Sequence, residues 1–427
     1  MKIWLITNLY TPDVHGGAVL YANMAEWLAA RGHDVRVTTT FSYYPEWKLR
    51  PADVGRGLYI ERVNGLLVRR IGMYVPARPS GAKRLLSDVS FLASLIWRGR
   101  HPGWQPDVTI TAEPMLSQCT ALRFLHPFGP KVRKVIIVQD FVADAAIELG
   151  LLKHPLLKAG ARWLERWSLS AADLVTTISP GMLAKLHTVL LRSDPSSTSA
   201  KPTTAYLPNW IHSSLATAAL SRARATPARR SRMLLYSGNL GFKQGLPAFV
   251  SSFCRLKHDW TLLIHGSGAA AADLRTMLKE EQDPRVVLGP VLAESDYLDL
   301  LFSVTACVIT QKSGVGANFL PSKLLPCLAT ATPVLAVADA ASPLAQEVDA
   351  GSLGVVATPD SDAALAQALA ELENTPPQHY TYALHKRAEL YSVDRTLGTL
   401  ESWISAHSAV PSTKTTEDNK LNEEEVR

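Results

Sequence analysis

Two lysines in glycine-containing segments have the surroundings that a phosphate-binding site needs. Lys243 lies in the segment "SGNLGFKQG", close to Gly238 and Asn239. Glycine lets the backbone approach a ligand closely, and an ammonium group neutralises the charge that develops on a departing diphosphate. We therefore predict that this segment binds a diphosphate and that Lys243 is catalytic. The alternative is a solvated lysine at the start of a helix, where a positive charge is unfavourable by about 0.3–1 kcal/mol.

The second lysine, Lys323, follows Pro321 and Ser322 in "GVGANFLPSKLLPCLATATPVLA". An apolar helix is predicted to begin there, so the Ser322 hydroxyl can cap it while Lys323 and the first helical amides hold a phosphate. Each residue alone is equally consistent with a structural cap or a surface charge. The presence of Lys243 and Lys323 in one predicted domain favours the phosphate site.

Polar residues also follow an apolar segment in the first half of the chain. Gln139 and Asp140 come directly after "KVIIV". Ligands of parallel α/β sheets bind outside the carboxyl ends of the strands, so we predict that both side chains contact a substrate. Asp144 follows on the next predicted helix, where it is one residue of an acidic face.

Gly16 and Gly17 close the loop between the first predicted strand and the first predicted helix. Amides at the start of a helix can bind an anion, which makes this loop a second candidate for substrate binding. A turn with positive φ or close packing is the alternative. The Gly-x-Gly-x-x-Gly fingerprint is missing here, which argues against a nicotinamide enzyme.

The order of apolar and amphipathic segments predicts an α/β protein. "KIWLIT", a helical pattern and "DVRVTTT" form one strand–helix–strand unit, and the same design starts again at "MLLYSGNLGFKQGLPAFVSSFCRLKHDWTLLIHGSG". Such units form parallel sheets with helices on both faces. We therefore predict two Rossmann-like, doubly wound parallel-sheet domains that face each other across a cleft. The length of 427 residues also suggests two domains.

The predicted organisation has four parts. Residues 1–210 form the N-terminal domain, with the strand "TAYLP" starting the crossing, and residues 211–385 form the C-terminal domain. A helix over residues 386–407 is a candidate to return to the first domain. Residues 408–427 are polar and acidic, which predicts a disordered tail.

One predicted helix combines apolar and basic residues. The segment from Ala82 to Arg100 has an apolar face between Lys83, Arg84, Arg98 and Arg100. Such a helix can lie on an anionic membrane surface, or it can pack its apolar face into the core; both interpretations stay open. The sequence has no apolar stretch long enough to span a bilayer, so we expect a soluble or peripheral protein without a secretion signal.

The sequence gives no indication of a metal site. The four cysteines, Cys119, Cys254, Cys307 and Cys327, lack metal-ligand spacing and stand among apolar residues. We expect buried, reduced thiols. The histidines, His33 among them, form no ligand group.

Taken in order, these segments resemble a known family. "NLYTPDVHGGAVLYANMAEWLAARGHDVRV", "VQDFVADAAIELGLL", "LERWSLSAADLVTTIS", "YSGNLGFKQGL", "GSG" and "LPSKLL" span most of Met1 to about Val337. They are similar to the retaining GT-B glycosyltransferases of family four, and among these to the colanic-acid type of exopolysaccharide enzyme. Each segment alone is unspecific, but the ordered set is specific.

The resemblance implies a function and roles for single residues. The second domain would hold a nucleotide-diphosphate-sugar donor through Lys243, Ser322, Lys323 and the glycines Gly238, Gly266 and Gly268. The first would hold a lipid-linked or oligosaccharide acceptor, with the Gly16–Gly17 loop near the donor phosphate and Gln139 and Asp140 near the transferred sugar. The resemblance also implies that the enzyme uses no metal and no cofactor and binds no nucleic acid. It implies a cytoplasmic location, and the basic helix adds the possibility of binding at the inner face of the membrane.

The chain departs from the family pattern at four positions, one of which is Gln139, where the family's motif often begins with a histidine. Asn239 stands where the family usually has an arginine, and Asn318 and Pro326 stand where it usually has two glutamates. Asn318 is still expected to contact the substrate. The departures leave two alternatives open: a non-catalytic nucleotide-sugar-binding or scaffold subunit of a polysaccharide assembly complex, and a nucleotide-sugar epimerase.

Overall fold

The protein is described by a computed structural model, which forms two compact units. The described residues are 1–13, 17–44, 46–78, 80–112, 116–125, 132–148, 152–191, 201–223, 232–314 and 320–406. The first unit comprises Met1–Leu207 together with the chain from Leu397 onward, and the second comprises Pro208–Thr396.

The first unit contains a parallel sheet with one antiparallel edge strand. Its strands are β1 (Lys2–Ile6), β2 (Asp34–Thr40), β3 (Leu58–Val63), β4 (Leu66–Ile71), β5 (Val108–Ala112), β6 (Arg133–Val138), β7 (Leu174–Thr177) and β8 (Thr203–Tyr206). Within the described residues their order is β3-β4-β2-β1-β5-β6-β7-β8. The helices are α1 (Ala18–Ala30), α2 (Gly81–Arg98), α3 (Leu116–Ala121), α4 (Val142–Glu148), α5 (Pro155–Leu169) and α6 (Pro180–Leu191).

Two edges of this sheet differ from what the sequence suggested. The predicted crossing segment "TAYLP" contains β8, which pairs with β7 as the last strand of the first sheet. The antiparallel strand β3 was not predicted, although it carries the apolar residues Leu58 to Ile60 and pairs with β4 across the Asn64-Gly65 turn; in the structure it is largely exposed.

The second unit contains a parallel sheet covered by helices on both faces. Its strands are β9 (Met233–Asn239), β10 (Thr261–Ser267), β11 (Val286–Gly289), β12 (Ala306–Thr310), β13 (Val334–Val337) and β14 (Gly354–Ala357), in the order β11-β10-β9-β12-β13-β14. The helices are α7 (Ser213–Ala223), α8 (Leu246–Arg255), α9 (Ala271–Glu281), α10 (Glu294–Ser303), α11 (Leu324–Ala329), α12 (Pro343–Ala350), α13 (Asp362–Asn374) and α14 (Gln378–Leu390). Apolar residues of α7, α10, α11, α12 and α14 pack in one hydrophobic cluster, and those of α8, α9 and α13 pack in another. The prediction of doubly wound parallel-sheet domains is confirmed.

The last described helix, α15 (Val393–Ser405), begins in the second unit and ends in the first. It is separate from α14, whereas the sequence suggested one helix from residue 386. The break falls at Tyr391, whose carbonyl accepts a hydrogen bond from the Ile211 amide. Glu401 of α15 binds His33 and Arg31 of the first unit, at 2.9 Å each. His33 is therefore a structural contact of this helix.

All four cysteines carry free thiols, and three are buried, while Cys254 is half-buried. No helix in the described part of the chain has both the length and the apolarity needed to cross a membrane.

Candidate functional site

The predicted glycines of the second unit lie at the carboxyl ends of β9 and β10. Gly266 is paired with Gly238 across the two strands. A Cβ atom at Gly266 would lie 1.9 Å from the Gly238 carbonyl oxygen, and one at Gly268 would lie 2.5 Å from Asn239 Oδ1. A side chain at either position would therefore clash with β9 or the loop that follows it. These glycines let the two strand ends approach closely.

Lys323 reaches across to the same strand end. Its Nζ lies 3.7 Å from the centroid of the Tyr236 ring, a cation–π contact. Its Cε lies 3.0 Å from the place that a Cβ atom of Gly238 would occupy. A side chain at position 238 would thus compete with Lys323 for space.

The Lys323 ammonium is a buried charge that has no carboxylate partner in the ranges that the structure describes. Its Nζ is inaccessible to solvent and has no hydrogen-bond partner among the described residues. Burial lowers the pKa of Lys323 from 10.5 to about 8. A buried polar group is usually hydrogen-bonded, so an unpaired ammonium at a strand end points to a missing anionic partner.

The start of α11 differs from the prediction for Ser322. The N-cap residue is Lys323, and it has no side-chain cap hydrogen bond. The amides of Leu324 and Leu325 donate to the carbonyls of Pro321 and Ser322. The prediction that the Ser322 hydroxyl caps this helix is wrong, because backbone carbonyls of the entering turn satisfy these amides. At this end of α11, the Lys323 side chain is the better candidate for an anion than these two amides.

Lys243 lies in a single 3₁₀ turn, Phe242–Gln244, between β9 and α8. Its carbonyl accepts a hydrogen bond of 2.9 Å from the Lys312 amide, in the loop after β12. Gly245 follows with φ of 62°, and a Cβ atom there would lie 3.0 Å from Lys312 Cα. The turn is therefore fixed against the carboxyl edge of the sheet. Both predicted lysines follow this edge.

The three departures from the family pattern in the second unit are Asn239, Pro326 and Asn318. Asn239 is the last residue of β9, and its carbonyl accepts a 2.7 Å hydrogen bond from the Tyr236 hydroxyl. Pro326 lies inside α11 and is half-buried. Asn318 lies outside the described residues, as does Gly16 of the first unit.

In the first unit, Gln139 and Asp140 directly follow the carboxyl end of β6. Gln139 is half-buried and Asp140 is exposed. Asp144 binds Lys185 at 2.7 Å and Arg162 at 3.1 Å, so its contacts are those of a structural ion pair.

Sequence analysis missed Glu165, which fixes the segment after Asp140. This residue of α5 is 1% exposed, and its Oε1 accepts a 2.9 Å hydrogen bond from the Ala143 amide at the start of α4. Burial, aided by the nearby charge of Asp144, raises the Glu165 pKa to about 7. The sequence could have indicated its burial only through its spacing, because Glu165 lies on the same helix face as the buried Ser168 and Leu169.

Sequence analysis also missed a polar cluster at the carboxyl ends of β1 and β2. The side-chain amide of Asn8 donates a 3.2 Å hydrogen bond to the Tyr43 hydroxyl, and the Ser42 hydroxyl donates to the carboxylate of the buried Asp13. Burial raises the pKa of the Asp13 carboxyl. Asp13 precedes the Gly16–Gly17 loop, and its place in "TPD" was the only sequence signal.

Gly17 itself has a structural explanation. Its φ is −74°, which any residue can adopt, but a Cβ atom there would lie 2.3 Å from the Tyr21 ring. Tyr21 is buried in the core. Close packing, the alternative stated from the sequence, therefore accounts for this glycine, and its contact with a ligand stays a prediction.

Comparison with known proteins identifies the family. Residues 15–196 match the model of the Glycosyl transferase 4-like domain, and residues 231–375 match Glycosyl transferases group 1. The chain is 31% identical over 396 residues to a putative colanic acid biosynthesis glycosyl transferase, WcaI, of Escherichia coli strain K12, covering 90% of this chain and 94% of that protein.

Solved structures agree on the fold. Sucrose-phosphate synthase from Thermosynechococcus elongatus superposes with a TM-score of 0.69 at 17% identity, covering 95% of this chain and all of that one. WaaG, a glycosyltransferase involved in lipopolysaccharide biosynthesis, gives 0.62 at 14% identity, covering 95% of this chain and all of that one. The chain therefore belongs to the glycosyltransferases that combine a 4-like and a group 1 domain, and its fold is GT-B.

Proposed function

We propose that this glycosyltransferase moves a hexosyl group from a nucleotide-diphosphate sugar to a glycan acceptor in exopolysaccharide synthesis, with retained configuration and without a metal ion. The name of the Escherichia coli relative supports the biosynthetic setting. The unpaired Lys323 ammonium at the end of β9 carries the proposal. Such a charge suits a ligand that brings negative charge to this strand end.

The donor diphosphate is the ligand whose charge fits this site. It would lie at the carboxyl end of β9, where Gly238 is exposed and adds no side chain beside Lys323. The flexible stem of Lys323 lets Nζ turn from the Tyr236 ring toward a phosphate oxygen. Both lysines follow the same sheet edge, so Lys243 can bind the diphosphate as well.

The proposed catalysis is electrostatic. Negative charge develops on the diphosphate as the sugar leaves, and fixed cations stabilise it in the transition state. Two ammonium groups, from Lys243 and Lys323, can supply this stabilisation without a metal or another cofactor. Front-face attack with help from the donor phosphate, as implied by the family resemblance, needs no protein nucleophile.

The acceptor would bind at the carboxyl edge of the first sheet. Gln139 and Asp140 follow β6 there and can orient hydroxyl groups of the acceptor or of the transferred sugar. Glu165 holds the start of α4 and so supports the turn that contains both residues.

The surface of α2 supports a membrane-bound acceptor. Phe91 and Leu95 pack into the core, whereas Leu86 is 54% and Trp97 84% exposed. The helix therefore has a buried apolar face and also exposes apolar residues, with exposed Lys83 beside them. Exposed apolar side chains next to basic ones suit the interface of an anionic membrane. We propose that α2 docks the protein on the cytoplasmic face of the membrane.

Replacement of Lys243 by alanine tests the assignment. Turnover of UDP-, GDP- and ADP-sugars with a lipid-linked acceptor should fall at least about a hundredfold, the typical effect of losing one group that stabilises an oxyanion. Lys257→Ala, at an exposed position after α8, is the matched control and should keep full turnover. Equal activity of the wild type and Lys243→Ala would refute the role of Lys243.

Asn239 and Pro326 favour a second candidate, a subunit that binds the nucleotide sugar without transferring it. Neither side chain can supply the charge of the family's usual arginine or glutamate. Such a subunit would bind the donor and show no turnover with any acceptor. Measuring donor binding beside turnover therefore separates the two candidates.

A further inference from the structure

A cavity of about 350 Å³ lies in the first unit beside α2. It is lined by Phe41 after β2, by the segment Gly72–Val75 after β4, by the segment Gly55–Gly57, and by Ser90 and Arg98 of α2. None of these residues belongs to the predicted donor site.

Glycines keep the cavity open. The Arg98 guanidinium lies against Gly57, where a Cβ atom would be 2.8 Å from Nη1. A Cβ atom at Gly72 would be 2.6 Å from the Arg56 carbonyl oxygen. Side chains at positions 57 and 72 would thus displace the arginine or the backbone of this wall.

The charged side chains among the residues that line the cavity are the guanidinium groups of Arg56 and Arg98. Ser94 donates to the Gly72 carbonyl, and Ser90 donates to the Ser87 carbonyl and accepts from the Tyr74 amide. These serines are therefore already hydrogen-bonded.

The charge at the cavity is positive. The Arg98 guanidinium has no carboxylate partner within the described part of the chain, and its Cζ lies 5.6 Å from the centroid of the Trp97 ring. Arg56 lies 3.9 Å from Asp53, but Asp53 binds Arg50 at 2.7 Å. One carboxylate is thus shared by two arginines, and Arg98 remains uncompensated. Two guanidinium groups suit a phosphate, which accepts several charge-assisted hydrogen bonds.

Apolar residues next to the cavity favour a phosphate that carries a hydrocarbon chain. Trp97, which contacts Arg98, is the most exposed large apolar residue in the described chain, and Val89, next to Ser90, is 53% exposed. Tyr74 lines the cavity and is 40% exposed. A free anion gains nothing from such surroundings, whereas an amphiphile can bury its chain against them.

We propose that this cavity binds the phosphate group of a membrane amphiphile, with Arg56 and Arg98 as its ligands and the exposed residues of α2 against its hydrocarbon chain. This proposal adds a lipid-binding site to the membrane-docking role of α2, and it rests on that part of the proposed function. The phosphate comes from a lipid headgroup at the membrane surface.

Titration calorimetry with octyl phosphate, below its micellar concentration, tests the site. The double variant Arg56→Gln/Arg98→Gln should bind octyl phosphate at least about tenfold more weakly than the wild type, since each charge-assisted hydrogen bond is worth roughly that factor. The control Arg62→Gln/Arg100→Gln removes the same charge from residues that do not line the cavity, and should bind like the wild type.

Two further ligands separate the sources of the phosphate. Inorganic phosphate and octyl glucoside should each bind at least about tenfold more weakly than octyl phosphate, because each lacks one half of the amphiphile. Equal binding of inorganic phosphate and octyl phosphate, equal weakening in both double variants, or no binding at all would overturn the proposal. The titration needs neither donor nor turnover, so its failure leaves the transferase assignment standing, and a failed turnover assay leaves this site untouched.

Discussion

Replacing Lys323 by methionine should stabilise the ligand-free protein while weakening donor binding. Methionine keeps an unbranched stem against Tyr236 and removes the covered charge. The lowering of the Lys323 pKa from 10.5 to about 8 corresponds to roughly 3 kcal/mol of unfavourable burial at neutral pH. The cation–π contact acts on the same charge, so its contribution is already contained in this shift. We therefore expect the variant to unfold with a free energy up to about 3 kcal/mol higher.

Thermal unfolding without ligand measures this effect. Each kcal/mol of the gain raises Tm by roughly 2–4 °C in a domain of 150–250 residues. Between pH 8 and 10.5 the unfolded chain keeps a proton on Lys323 that the folded chain has released, so the stability of the wild type rises with pH relative to the variant. The advantage of Lys323→Met should therefore be largest below pH 8 and shrink above it.

The same samples report on the donor. A nucleoside diphosphate that raises the wild-type Tm should bind Lys323→Met at least about tenfold more weakly, because a charge-assisted contact is lost. Lys257→Met, at an exposed position, should change neither quantity. A Lys323→Met protein that is less stable than the wild type at every pH and binds the nucleotide equally well would refute the reasoning.

Two further predictions concern the first unit. Burial raises the Glu165 pKa from 4.5 to about 7, so between these pH values the folded protein holds a proton that the unfolded chain has released. The stability of the wild type should therefore fall by up to about 3 kcal/mol relative to Glu165→Gln as pH rises from 4.5 through 7. Urea unfolding measures this difference. Neutralising Lys83, Arg84, Arg98 and Arg100 should lower the partition coefficient on anionic vesicles, measured by sedimentation, by up to about a thousandfold, because each basic residue near such a surface contributes about 1 kcal/mol.

Each of these two measurements has its own control. Glu280→Gln, at an exposed position of α9, should show the same pH dependence as the wild type. A parallel pH dependence of Glu165→Gln and the wild type would contradict the buried-carboxylate argument. The wild type and the four-site variant should sediment equally with neutral vesicles. Equal sedimentation of the two proteins with anionic vesicles would contradict the membrane-docking role of α2.

The sequence predicted the second sheet well because its strands are short apolar runs bounded by glycine or polar residues. β9 and β12 were both found in this way. The strand β3 also has such a run, Leu58 to Ile60, and Asn64-Gly65 after it is the sequence signal of a hairpin, so its pairing with β4 was readable but was missed. What the sequence could not indicate is that the apolar residues of this edge strand are exposed.

The contacts of the candidate site residues could not be predicted from the sequence, and their binding of a ligand stays a prediction. Lys323 and Tyr236 are far apart in the sequence, and no local pattern indicates that the ammonium lies over the ring. The predicted Ser322 cap was wrong because the entering turn already satisfies the first amides through backbone carbonyls. Glu165 was missed because its burial depends on how α5 packs against the start of α4.

A crystal structure with a bound nucleoside diphosphate tests the central claim most directly. The account predicts phosphate oxygens at the carboxyl end of β9, within about 3.2 Å of Nζ of Lys323 and of Lys243. A diphosphate bound elsewhere, with the Lys323 ammonium still on the Tyr236 ring, would contradict it.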